Sequence, residues 1–183
     1  MAKWQTQSMK MAKNHVWKSS PGYKILVLDR GAARIDIPEG WDVSPGENCL
    51  EVRDKPGDEG RCLIQITVFP QMQGVDFSTL PLLPLFEQVT GGDEMDIIVR
   101  GRVFQERRKD LEIVWRETRY IDPEEKREAC TRNCFCRRVG IHVLISFSNW
   151  PEDVEEFTPA WEEVLRSLRV GEFVDPKTGW RIR

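Results

Sequence analysis

Three of the chain's five cysteines crowd one short stretch. Cys130, Cys134 and Cys136 form C-x3-C-x-C, and His142 follows six residues after the last of them. Thiolates and imidazoles are the ligands zinc prefers, and four of them must converge tetrahedrally. A thiol is also a strong nucleophile when a neighbouring base or positive charge holds it as thiolate. Here Arg132, Arg137 and Arg138 could supply charge, and His15 or His142 an imidazole. This cluster therefore defines one reading, a metal- or thiol-dependent enzyme with Cys130, Cys134, Cys136 and His142 as its centre. Spacing and geometry favour another. Structural zinc sites usually pair two C-x2-C knuckles, and neither is present. Successive side chains of a strand point to opposite faces, so the three even-numbered cysteines share one face. A tight turn at Val139-Gly140 sets Cys136 opposite Val143 and Cys134 opposite Ile145, both apolar. The thiols then read as small buried hydrophobes rather than ligands. The same register sets His142 across from Arg137, on the opposite face. Arg132 fits poorly among core residues, and we expect it at a rim or a bulge.

That opposite face carries Phe135, Arg137, His142 and Leu144, a mixture of aromatic, arginine and aliphatic groups typical of partner-binding surfaces. Two outcomes are open for it: a protein partner docks there, or a helix of the same chain covers it. Other chemistry is not signalled. Gly91-Gly92 is a helix stop and not a phosphate cradle, and no G-x-S-x-G or H-E-x-x-H motif occurs. Glu124-Glu125 and Glu162-Glu163 sit in polar, solvated settings. No catalytic residue and no cofactor is expected.

The elements that must position these residues are mostly strands. Lys24 to Leu28 is apolar enough for one. Arg30-Gly31 turns the chain, and Ala33, Ile35 and Ile37 alternate with Arg34 and Asp36 as in a half-buried strand. Cys49 to Val52 is a short strand. Cys62, Ile64, Ile66 and Val68 line one face of another. Leu82 to the Gly91-Gly92 stop reads as a short helix, because Pro84 is tolerated only in its first turn. Long antiparallel strands follow over Asp96 to Gln105, Leu111 to Ile121, Ala129 to Arg138 and Ile141 to Ser148. Val154, Phe157, Trp161, Val164, Leu165 and Leu168 then form one stripe of a helix. Acidic residues crowd its start and Arg166 and Arg169 its end, which suits the helix dipole. A brief strand ending at Trp180 closes the chain. Strands and helices do not alternate strictly, so the sheet is antiparallel and the class is α+β.

Length and composition bound the rest. The 183 residues suit one domain, with 1–23 as a basic extension, 24–170 as the fold and 171–183 as a tail. Hydrophobic residues at 40% exclude a disordered chain. The balance of 27 basic against 30 acidic residues gives no reason to expect nucleic acid as a partner. No apolar run is long enough for a membrane span, and Met1 to Ser20 lacks the core of a signal peptide. An odd number of cysteines without a regular framework suits a reducing compartment, so we expect a cytoplasmic protein. Seven tryptophans is a high count. Trp4, Trp17, Trp150 and Trp180 fall near ends or loops, where an exposed indole would mark a contact surface.

Two segments carry a family resemblance. Ala33 to Trp41, ending in Pro38-Glu39-Gly40-Trp41, resembles the early strand and P-x-G-W of PsbP-like and DcrB-like proteins. Leu144 to Ser148, followed by Phe157, Trp161 and Leu165-Arg166-Ser167-Leu168, resembles their last strand and helix. The resemblance spans about Lys24 to Val170. It implies a three-layer α/β/α sandwich around a twisted antiparallel sheet, and a binding role without catalysis. Proteins of this fold include the photosystem extrinsic protein PsbP, a Ran-binding nuclear transport factor and chaperones of type VI secretion effectors. The reading that follows is a protein-binding adaptor or chaperone that holds a partner segment on its sheet face, or a homodimer that uses the same face.

Overall fold

Alternating apolar residues build two antiparallel sheets in the computed structural model, which describes residues 17–69, 80–91, 96–138 and 140–173. The strands are β1 (Tyr23–Leu28), β2 (Ala33–Pro38), β3 (Asp42–Pro45), β4 (Leu50–Arg53) and β5 (Cys62–Phe69). After helix α1 (Leu82–Thr90) come β6 (Asp96–Arg100), β7 (Phe104–Arg108), β8 (Leu111–Ile121), β9 (Glu128–Arg138) and β10 (Ile141–Asn149). Helix α2 (Val154–Ser167) and the two-residue β11 (Arg169–Val170) follow. The small sheet has the order β1-β2-β11. The large one runs β3-β4-β5-β10-β9-β8-β6, with β7 also paired to β8.

The β9–β10 hairpin has the register that the turn spacing demands: Cys136 opposite Val143, Cys134 opposite Ile145, Arg137 opposite His142. One face of the large sheet presents Ile64, Ile66, Ile113, Val143, Ile145 and Phe147 to α2 and the small sheet. Its other face receives α1, whose Phe86 packs on Val114 and Phe135. The result is the three-layer α/β/α sandwich. Its aromatic heart is Phe147, fully buried between Trp41 and Trp161. Burying a side chain of this size contributes roughly 1.5–3 kcal/mol, so a core of this kind holds without a disulfide or metal staple.

Helix α2 starts from a 3-10 turn led by Pro151, with Glu155 and Glu156 in its first turn and Arg166 in its last. Pro159 lies inside it on the exposed side. The buried stripe of Phe157, Ala160, Trp161 and Val164 offsets the backbone bond that proline removes.

Four expectations change. The strand expected over Asp96 to Gln105 is two, β6 and β7. Between them Gly101 donates its N–H to the Glu117 carbonyl at 2.9 Å, and a Cβ at that glycine would stand only 2.9 Å from the same oxygen. Arg34 and Asp36 are buried rather than solvated, since α2 and Trp17 close over β2. Trp17 is itself buried against the Arg34 guanidinium, 4.9 Å away, so the segment before residue 24 contributes to the core. Trp150 is half-buried beneath Arg127 at 3.8 Å. Trp4, Trp180 and the strand expected to end there lie outside the described residues. Strands β3 and β11 are additions that pairing creates: β3 has no alternation, and β11 has two residues only.

Candidate functional site

The sheet decides the fate of the cysteine cluster. Cys130, Cys134 and Cys136 all point toward α2 and are buried. His142 is on the opposite face, so the proposed metal set is split by the thickness of the sheet. Among the described residues no group of three or more His, Cys, Asp or Glu side chains is placed to hold a metal. Burial pushes the Cys136 thiol up to about 12. Burial, followed by the charge of Glu117, does the same for Cys130. Cys134 and Cys62 are also raised, chiefly by burial. Positive charge does not overcome this desolvation, because Arg132 is committed elsewhere. Its Nε donates to Glu117 at 2.9 Å and its Nη2 to Thr158 of α2 at 3.0 Å. Arg132 therefore marks neither a rim nor a bulge. It is a buried guanidinium that ties β9 to the first turns of α2.

The expected partner face is assembled but not open. Phe135, Arg137, His142 and Leu144 share one face, as the register requires, and α1 lies over it. Phe135, Arg137 and His142 are all buried and Leu144 is half-buried. The His142 ring stacks on Phe135 at 5.6 Å. Burial, and then the nearby Arg137 charge, lower its pKa. Arg137 pairs with Glu112 and donates to the Leu80 carbonyl at 2.7 Å, fixing the chain as it enters α1. The four residues are thus the seat of a helix of the same chain, which corrects their assignment as an exposed binding patch.

What holds α1 there was not read from the sequence. Only Phe86 of the helix is fully buried. Arg116 of β8 lies over the Phe86 ring and forks onto Glu87 at 2.9 and 3.1 Å. Arg116 is buried, so losing Glu87 strands its charge. Glu87→Ala should lower stability by about 2 kcal/mol, measured as a shift in the urea midpoint, and Glu87→Gln by about half of that.

Beyond α1 the same face turns polar. Ser146 donates to Asn133 at 2.7 Å, Ser148 to Thr131 at 3.1 Å, and Gln65 to Glu51 at 3.2 Å. These groups satisfy one another across strands. The alternation of Ser146 and Ser148 with Ile145 and Phe147 is the signal that could have found this strip.

Phe69, Leu80 and Phe173 are exposed at other places, and an edge of the large sheet is exposed and apolar as well. Ile98 and Val99 of β6 are 47% and 48% exposed, and Val89 near the end of α1 is 42% exposed. A register shift between Ile97 and Val99 takes Ile98 out of the ladder to β8. Among the described residues no strand pairs the outer side of β6. The β7 half of this edge differs, since Gln105, Glu106 and Arg107 are exposed and polar. Sheet edges are commonly guarded by charge in this way, and the β6 half carries charge only at its two ends, Asp96 and Arg100. The run Asp96-Ile97-Ile98-Val99-Arg100 reads in sequence as an interior strand, which is why the edge went unrecognised.

Comparison with known proteins agrees with this architecture. The profile of the Alr1449 family matches residues 24–174. The uncharacterized protein alr1449 of Nostoc is 34% identical over 178 residues, covering 96% of this chain and 92% of that one. The solution structure of the cyanobacterial PsbP, CyanoP, from Synechocystis superposes with a TM-score of 0.60 at 11% identity, over 87% of this chain and 97% of that one. A crystal structure from Bacteroides thetaiotaomicron gives 0.52 at 13% identity, over 81% of this chain and 48% of that one. At these identities the structural likeness is one of fold. Among the described residues no helix is long and apolar enough to cross a membrane.

Proposed function

The chain belongs to the Alr1449 family, and on this fold we propose that it is a non-catalytic protein-binding module, an adaptor or chaperone that holds an extended partner segment. The observation that carries this reading is the exposed apolar centre of the β6 edge, Ile98 and Val99. An extended segment added there gains main-chain hydrogen bonds from the open edge and buries Ile98 and Val99. The neighbouring charges of β7 confine addition to the β6 half. A protein segment suits a site whose exposed centre, Ile98 and Val99, is apolar. The absence of disulfides among the five cysteines suits work in the reducing cytoplasm. The metal or thiol enzyme gains no support, because its four residues lie on two faces of the sheet.

Site-specific photo-crosslinking in the source cell tests the reading. A photoreactive residue at Ile98 should give discrete protein adducts, and the same residue at Gln105 of β7 should give few. Equal yields at the two positions would remove β6 as the binding edge.

A further inference from the structure

Strand β6 is complementary to itself. When two antiparallel copies of Asp96-Ile97-Ile98-Val99-Arg100 are centred on Ile98, Asp96 falls opposite Arg100, Ile97 opposite Val99, and Ile98 opposite its own copy. We propose that the partner at this edge is a second copy of this chain, joined through β6 about a two-fold axis at Ile98. The inference rests on the reading of β6 as the binding edge and names its occupant.

Three observations favour a second copy over an unrelated strand. The first is charge. Asp96 and Arg100 are both exposed and belong to no ion pair among the described residues. The two-fold brings each to the other twice, once at either end of the ribbon. Opposite charges directly across a strand pair stabilise it, and like charges destabilise it. The second is the position of the apolar pair. Ile98, released from the β8 ladder by the bulge, sits at the centre of the sequence palindrome, where a two-fold contact is isologous. The third is the boundary. The charged β7 half of the edge lies beyond Gly101, so the apolar stretch and the palindrome end together. A ribbon this short buries less than a standard interface, so the dimer is weak and dependent on concentration.

Sedimentation velocity on the full chain, over about two decades of concentration around the micromolar range, tests the proposal. The wild type should move from monomer toward dimer. Asp96→Arg alone, or Arg100→Asp alone, sets like charges opposite each other at both ends and should weaken association about tenfold or more. The double change Asp96→Arg with Arg100→Asp restores complementarity and should return association to within about threefold of the wild type. Both substituted positions are exposed, and an unchanged melting curve verifies that each variant folds. A monomer at every concentration overturns the proposal, as does a dimer indifferent to the single reversals. Photo-crosslinking at Ile98 separates that failure from failure of the edge itself. Adducts of other masses with a monomeric protein keep β6 as a binding edge and reject the second copy. Adducts of twice the chain's mass support it.

Discussion

At pH 8 the native protein should leave Cys130, Cys134 and Cys136 unmodified by iodoacetamide, at rates about a thousandfold below those of the same thiols in the unfolded chain. The nucleophile is the thiolate. A thiol with a pKa of about 8.5 is roughly a quarter ionised at pH 8, whereas one near 12 is ionised in about one molecule in ten thousand. Cys130 and Cys136 are pushed up to about 12, and Cys134 is raised with them. Cys134 and Cys136 lie in the core beneath α2 and the small sheet, and Cys130 is buried too, so reagent access needs local opening as well. Cys49 is the contrast. It is only half-buried, although burial and Glu51 raise its pKa too. Intact-mass analysis over time should therefore show a first adduct at Cys49 and a long lag before any other. An early adduct at Cys130, Cys134 or Cys136 would return the cluster to the list of active thiols.

The hairpin was legible because its register depends on local information. A two-residue turn and a period of two fix which side chains share a face, whatever lies above them. The fate of each face was not legible. Phe135, Arg137, His142 and Leu144 form the same mixture of types whether a partner or α1 covers them. The choice is made by Glu87 and Arg116, which meet across 29 residues of chain. Arg132 shows the same limit. A guanidinium on a core face looks like an error until Glu117 and Thr158 are found on either side of it. The edge at β6 fails for a different reason. An unbroken apolar run is expected of a central strand, and sequence alone cannot say which strand ends the sheet. The family resemblance carried the layer order but no site, because its P-x-G-W and final helix are packing features. Trp41 lies against Phe147 and Phe157.

Removing Arg34 should be more costly than any of the surface changes above. Arg34 and Asp36 of β2 are both buried, with Nη2 and Oδ1 3.7 Å apart. Trp17 closes over the guanidinium, and the Asp36 N–H donates to the Ser167 hydroxyl of α2 at 2.7 Å. The groups facing Asp36 from α2 are Glu163 and Arg166, themselves an ion pair, so they offer it little net compensation. Arg169 and Glu172, beyond α2, act on Arg34 in opposite directions. Arg34→Met then leaves a buried carboxylate without its cation, and we expect a loss of about 3–5 kcal/mol at pH 7. Replacing both residues, Arg34→Met with Asp36→Leu, should recover most of it, because no charge is left to solvate. Acid should do so as well. Burial already raises the Asp36 pKa above its ordinary value, against the pull of Arg34, and losing that pull raises it further. A carboxyl with a raised folded-state pKa binds its proton more tightly when folded. Its penalty is present in full above that pKa and is relieved as pH falls through it toward the unfolded value. The gap in urea midpoint between Arg34→Met and the wild type should therefore narrow from pH 7 to about pH 5. A gap that holds constant over that range would assign the loss to the packing of Arg34 against Trp17 and not to the stranded charge.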